Sequence, residues 1–255
     1  MKRFLKKFAI ALALLFFSFW LYLYLNYTTP ILMYHSFDKN KVENYAAVDP
    51  ANFYRQMEFI KKSGYRVISL DDYCQMLKAN QKIPKNLMAI TIDDGYKDNL
   101  AAIKTLREFN FPATIFLVVD KIGRSEYLSK KDINAFLKNT KVNIGSHTLT
   151  HPDLPKIDNA QLKKEILDSK SKLTELFSTK VKTFAYPGGA FDERAMKEVE
   201  SSDYLCACAT NRGFSKNLNR FALRRIKVTD RDSNFTLWSK LSGFYNIFKK
   251  PKKPY

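Results

Sequence analysis

The sequence predicts an α/β fold, a (β/α) barrel preceded by one transmembrane helix. Short apolar, β-branched runs alternate with amphipathic stretches of helical period, which implies parallel strand pairing. Seven or eight such units fit in one modest domain, with no repeat, low-complexity block or long linker to divide them, which favours a barrel over an open sheet. An uncharged apolar run occupies residues 8–25, ahead of the alternation.

As a helix that run rises roughly 27 Å at about 1.5 Å per residue, enough to cross a bilayer core. Lys2, Arg3, Lys6 and Lys7 precede it, so the positive-inside rule puts the N-terminus in the cytoplasm and the rest outside the cell membrane. Trp20, Tyr22, Tyr24 and Tyr27 crowd its outer end, where aromatic rings favour the interface. A cleaved signal peptide would end in small residues; this end is bulky, so an uncleaved single-pass signal-anchor is expected. Thr28-Thr29-Pro30 breaks the chain just past it, giving an anchor over residues 1–29 and one domain over residues 30–255.

Strands are expected at 31–34, 66–70, 87–92, 113–119, 142–145, 183–186, 204–209 and 222–228. Helical patterns lie near 51–63, 71–79, 98–109, 130–138, 159–177, 192–201 and 233–245. In 159–177, Leu162, Ile166, Leu173, Leu176 and Phe177 make one apolar stripe. The chain ends in Phe248-Lys249-Lys250-Pro251-Lys252-Lys253-Pro254-Tyr255, either a contact for an anionic membrane surface or a solvated terminus.

Hydrophobic content of 45% with 27% charged residues belongs to a globular chain with a sizeable core. The net charge of +18, about +14 without the basic N-terminal tip, would attract polyanions. No helix-turn-helix, zinc-finger or ribonucleoprotein signature supports nucleic acid, and none is expected as a partner. Cys74, Cys206 and Cys208 fit neither a CxxC motif nor a zinc ribbon; Cys206 and Cys208, in an expected buried strand, read as small core residues, and no disulfide framework is expected.

The chemistry collects at predicted strand ends. His35 follows Ile31-Leu32-Met33-Tyr34, Asp93-Asp94-Gly95 follows the run from Leu87, His147 follows the run from Val142, and Tyr186-Pro187-Gly188-Gly189 follows Thr183. In a (β/α) barrel these ends converge on one rim. His147 and His151 are two of the chain's three histidines, and with a carboxylate they form a His₂-carboxylate set that leaves positions open on a divalent metal. Pro152 disfavours helical geometry at His151, which places the pair on a turn. Neighbours on extended backbone point in opposite directions, so Asp93 and Asp94 should have separate roles, one on the metal and one as general base. Gly95 permits a sharp turn, and an N–H just beyond it can donate to a developing oxyanion. These residues suggest a metal-dependent hydrolase.

Thr91-Ile92-Asp93-Asp94-Gly95-Tyr96, then Ser146-His147-Thr148-Leu149-Thr150-His151, then Phe184-Ala185-Tyr186-Pro187-Gly188-Gly189 resemble, in that order, the motifs of the polysaccharide deacetylase family. The resemblance spans residues 30 to about 230. It implies a distorted (β/α)7 barrel, a divalent metal, usually zinc, and hydrolysis of an N-acetyl amide on an N-acetylated glycan. Carried over by motif, Asp93 resembles the catalytic base, and Asp94, His147 and His151 the metal ligands. The Tyr96 N–H resembles the oxyanion donor, and Tyr186, Pro187 and Gly188 belong to the motif that walls the substrate groove.

Two departures stand out. Many members carry an arginine two residues before the proline of the third motif, where this chain has Ala185. Many also carry a Leu-x-His near the C-terminus that supplies the general acid, whereas no histidine follows His151. Met33-Tyr34-His35 has the shape of that motif on the first strand, as in the circularly permuted poly-N-acetylglucosamine deacetylases, so His35 becomes the candidate acid. Arg225 is the candidate substitute for the arginine, although Arg224 and Arg225 point to opposite faces and the sequence does not say which points inward. The rival reading is a membrane-anchored glycan-binding protein of the same fold with lost or altered amide or ester hydrolysis. The glycan, its linkage and the oligomeric state are not specified by these patterns.

Overall fold

The structure, a computed structural model, describes residues 1–25, 27, 29–38, 40, 46–210 and 219–247. The lysines of the C-terminal tail therefore lie outside the described residues. The strands are β1 (Ile31–Tyr34), β2 (Arg66–Val67), β3 (Leu87–Ile92), β4 (Ala113–Leu117), β5 (Val142–Ser146), β6 (Thr183–Ala185), β7 (Cys206–Cys208) and β8 (Ile226–Lys227). The helices are α1 (Lys2–Leu25), α2 (Pro50–Lys62), α3 (Leu70–Lys78), α4 (Asn99–Phe109), α5 (Lys130–Asn139), α6 (Asn159–Lys163), α7 (Ser169–Phe177), α8 (Glu193–Ser201), α9 (Asn234–Leu241) and α10 (Phe244–Ile247).

The sheet runs β7-β6-β5-β4-β3-β1-β8, with β2 added to β3 off that path. Every strand pair is parallel. Leu223 bridges Cys208 of β7, and three residues later Ile226 pairs with Leu32 of β1. One segment thus spans both edges and curls the sheet into a distorted (β/α)7 barrel, as expected. The expected strand at 222–228 is short because its residues divide between two neighbours.

Side-chain alternation separates two cores. Outward residues such as Leu32, Tyr34, Met88, Ile90, Ile92, Ile115, Ile144 and Phe184 pack under the helices. Inward residues Ile31, Ala89, Phe116, Ala185, Cys206, Cys208 and Leu223 fill the lumen, where Leu70, Tyr73 and Cys74 of α3 join them as a plug. Gly145 makes room for Phe116: a Cβ there would lie 2.5 Å from its ring.

Six of the helices start at a side-chain cap. Asp49, Ser69, Asp158, Asp192 and Ser233 accept from first-turn N–H groups, and Ser129 with Asp132 forms a full capping box. The pattern at 159–177 predicts one helix; the structure has α6, a π turn at Lys164–Asp168 and α7. The pattern at 233–245 breaks at Gly243, whose φ of 83° no helix accepts.

The cysteine expectation needs correction. Cys74 and Cys206 form a disulfide across 132 residues, with Cα atoms 6.0 Å apart, and only Cys208 remains a free, buried thiol. Barrel curvature brings α3 against the start of β7, a proximity invisible to sequence spacing.

No residue of α1 is buried, and by length and composition it suffices to cross a membrane.

Candidate active site

The alternation that fills the lumen also aims the polar side chains. Ala89, Thr91 and Asp93 follow one another on the inner face of β3, as do Ile31, Met33 and His35 on β1, and Leu223 and Arg225 on the approach to β8. At the C-terminal end the apolar filling gives way to charge.

Arg225 is 1% exposed and points inward, which decides between the two arginines. Its Nη1 and Nη2 donate to Oδ1 and Oδ2 of Asp93 at 2.6 and 2.7 Å. Nε donates to the Ala209 carbonyl, Nη1 also reaches Thr91 Oγ1 at 3.2 Å, and the guanidinium lies over the Phe116 ring. The fork is therefore fixed on both sides before it meets the carboxylate. Asp93 is 2% exposed. Burial pushes its pKa up, but Arg225, His147 and His35 outweigh burial and hold it down to about 2.

Asp94 leaves the strand at φ 70°, and Gly95 follows at φ 71°. This consecutive left-handed pair turns Asp94 from the β3 axis towards β5. A Cβ on Gly95 would also lie 2.6 Å from the Leu117 Cδ2 methyl, so that side chain would have to shift. Asp94 Oδ1 stands 3.8 Å from His147 Nε2 and 3.5 Å from His151 Nε2. One candidate ligand atom from each of the three residues lies within 4.8 Å of the others.

These separations fit one shared ion, since ligand atoms about 2.1 Å from a tetrahedral centre lie about 3.4 Å apart. The donor set fits too: His147 Nδ1 lies 2.7 Å from the Ala185 carbonyl and donates to it, which leaves the Nε2 lone pair facing Asp94. Burial lowers the pKa of His147, favouring the neutral form that ligates.

The turn between the histidines is held from behind. Thr148 and His151 both have φ 70°, and the Thr148 hydroxyl accepts from His151 N. Glu165, fully buried in the π turn, accepts from Leu149 N, Thr150 N and Thr150 Oγ1. Sequence reasoning missed Glu165. Its signal was an acid beside Ile166 on the apolar stripe of 159–177.

His35 Nε2 lies 3.9 Å from Asp93 Oδ2, and Asn99 Nδ2 donates to the His35 carbonyl. His35 Nδ1 is buried without a hydrogen-bond partner among the described residues. Burial lowers its pKa, against the opposing pull of Asp93 and Asp94. Tyr96 opposes Tyr127 in an antiparallel bridge whose hydrogen bonds are made by the flanking residues, Lys97 to Glu126 and Leu128 to Gly95. In such a pair the N–H of Tyr96 itself faces away from its partner.

The third motif sits differently from expectation. Tyr186 follows Phe184 on the outer face of β6, is fully buried, stacks on Phe191 at 4.5 Å and donates its hydroxyl to the Phe221 carbonyl. Its side chain supports the rim from within and walls no open groove. Pro187 is also buried, while Gly188 reaches the surface.

The polysaccharide deacetylase family model matches residues 80–207. The Bacillus subtilis protein YxkH is 29% identical over 202 residues, covering 78% of this chain and 71% of that protein. The poly-beta-1,6-N-acetyl-D-glucosamine N-deacetylase of Staphylococcus aureus is 23% identical over 238 residues, covering 86% of this chain and 80% of that protein. The solved Streptococcus pyogenes deacetylase PplD, in complex with acetate, superposes with a TM-score of 0.77 over 84% of this chain and 97% of its own, at 24% identity, a likeness of fold.

Proposed function

The chain belongs to the polysaccharide deacetylase family, and on that premise we propose that it is a metal-dependent N-deacetylase of an N-acetylglucosamine-type cell-wall or exported glycan. One observation carries the reading: a buried carboxylate, Asp93, is oriented by Arg225 on the same rim as the Asp94, His147 and His151 set. The S. aureus relative, named for action on a β-1,6-linked N-acetylglucosamine polymer, supports that substrate class.

Asp94, His147 and His151 would hold the metal, for which zinc suits two imidazoles and a carboxylate. A bound divalent ion polarises a carbonyl and lowers the pKa of water. Asp93 takes the proton from the attacking water, and Arg225 keeps its two oxygens in register for that transfer. The Tyr96 N–H donates to the oxygen on which negative charge develops at the acetyl carbon. His35 gives a proton to the departing glucosamine nitrogen, and acetate leaves. Ala185 was the ground for the binding-protein alternative; Arg225 on Asp93 supports turnover instead.

In this reading α1 anchors the chain over residues 1–29, and residues 30–255 form an extracytoplasmic catalytic domain. The Cys74–Cys206 disulfide supports an oxidising compartment.

The test is acetate release from β-1,6-linked N-acetylglucosamine oligomers, chitooligosaccharides and peptidoglycan by metal-reconstituted protein. Release should require metal and disappear with chelator. Asp93→Asn should lower kcat by about 10²-fold or more while metal stays bound. Near wild-type turnover in Asp93→Asn would sink the base assignment, and retained metal in His147→Ala would sink the metal site.

A further inference from the structure

α9 carries two apolar faces, although a surface helix needs only one. Leu237 and Leu241 face inward and are buried. On the other side Phe235 is 68% exposed and Trp238 43% exposed. The outward face is rigidly presented: Arg55 of α2 donates to Asn234 Oδ1 and to the Asp232 carbonyl, and Tyr65 donates to the Leu241 carbonyl. These aromatic residues are therefore fixed in place on the barrel.

They are also continuous with α1. Phe235 stacks on Trp238 at 5.7 Å, Trp238 meets Phe244 of α10 at 6.0 Å, and Phe244 packs edge-on against Phe19 at 5.9 Å. Phe19 lies six residues before the end of α1, roughly 9 Å along its axis at about 1.5 Å per residue. With residues 8–25 across the bilayer core, that is about 9 Å inside the outer edge of the acyl region, within the roughly 5–10 Å that apolar Trp and Phe side chains of interfacial helices reach. A group touching Phe19 at that depth is itself in contact with the outer part of the acyl region.

We infer that Phe235, Trp238 and Phe244 form a membrane-docking surface, seated in the lipid–water interface of the membrane that α1 anchors. The inference rests on the reading of α1 as a membrane span. A lipid occupant fits better than a sugar. Phe235 and Trp238 stack on each other with 28° between their planes, so each covers a ring face of the other that a sugar would need.

The chain holds two tryptophans, Trp20 in α1 and Trp238 in the patch, which separates the two readings. Full-length protein is reconstituted into vesicles of phosphatidylethanolamine and phosphatidylglycerol carrying bromine at defined acyl positions. Trp20→Phe leaves Trp238 as the fluorophore, and Trp238→Phe leaves Trp20. The expected result is loss of emission from both, with Trp238 blue-shifted and quenched most by shallow bromines. Quenching of Trp20 alone, with Trp238 open to acrylamide, overturns the docking surface and leaves the anchor standing. Quenching of Trp238 alone removes the anchor, and with it the depth on which the docking surface was argued, and overturns the inference. Quenching of neither overturns both. A Trp238 response to soluble N-acetylglucosamine oligomers without lipid quenching makes the patch a glycan platform and overturns the inference.

Discussion

Asp93 and Arg225 are each almost wholly removed from water, and each is tolerable there only because of the other. Replacing Arg225 with methionine keeps much of the volume and leaves a bare carboxylate in the lumen. Arg225→Met should lower unfolding free energy by about 3–5 kcal/mol in urea titrations. Adding Asp93→Asn should recover a substantial part of the loss, because the amide carries no charge to strand. Equal stability of the single and double variants would show that the stranded Asp93 charge is not the source of the loss. The same geometry sets an acid limit. A carboxylate held at about 2 in the folded state, against 3.8 ordinarily, contributes stability that is fully present above pH 3.8 and declines as pH falls towards and below 2. Stability profiles of wild type and Asp93→Asn should diverge as pH rises through that window, with wild type gaining.

Period-two alternation on the strands does most of the work of building the site. It puts His35, Asp93, His147 and Arg225 in line with the lumen residues two positions before them, so much of the rim was legible once strands were placed. It also puts Tyr186 on the outer face, in line with Phe184, a deduction open to sequence reasoning that motif matching overrode. Arg225 was ambiguous for a physical reason. Parity needs a register, and this short segment takes its register from two neighbours, Cys208 and Leu32, that only the closed barrel supplies. The π turn was illegible for a similar reason, because Glu165 acts on a loop fifteen residues away. Its removal gives a prediction at this scale. Glu165→Ala leaves the buried Leu149 N without its acceptor, at about 1–3 kcal/mol, and also frees the part-buried Thr150 N, which water can reach. The His147–His151 turn should then loosen, and metal affinity in competition with a chromogenic chelator should fall by about 10–100-fold. Unchanged affinity would make Glu165 a packing residue only.

At the scale of the whole molecule the barrel has a plugged end and an open end. Leu70, Tyr73 and Cys74 close the lumen where β1 and β7 begin, and the charged rim opens where β1, β3 and β5 end. α1 ends at Leu25, six residues before β1 starts, so the anchor attaches at the plugged end and the rim points away from it. A glycan outside the membrane can then reach the rim without passing the anchor. The disulfide joins the plug to β7, across 132 residues of chain that include every rim residue except His35 and Arg225. Cross-linking a loop of that length removes up to about 5 kcal/mol of unfolded-chain entropy at room temperature, and losing a native bridge of this kind typically costs about 2–5 kcal/mol. Reduced protein, and the Cys74→Ala/Cys206→Ala variant, should therefore unfold at markedly lower urea than oxidised protein. Cys208 provides the internal control. It is fully buried, and burial pushes its thiol up to about 12, so it should resist alkylation at pH 8 in folded protein. Oxidised protein should take up one label only on unfolding, and reduced protein three. Three labels on unfolded, unreduced protein would show that the bridge does not form, and the plug would then be held by packing alone.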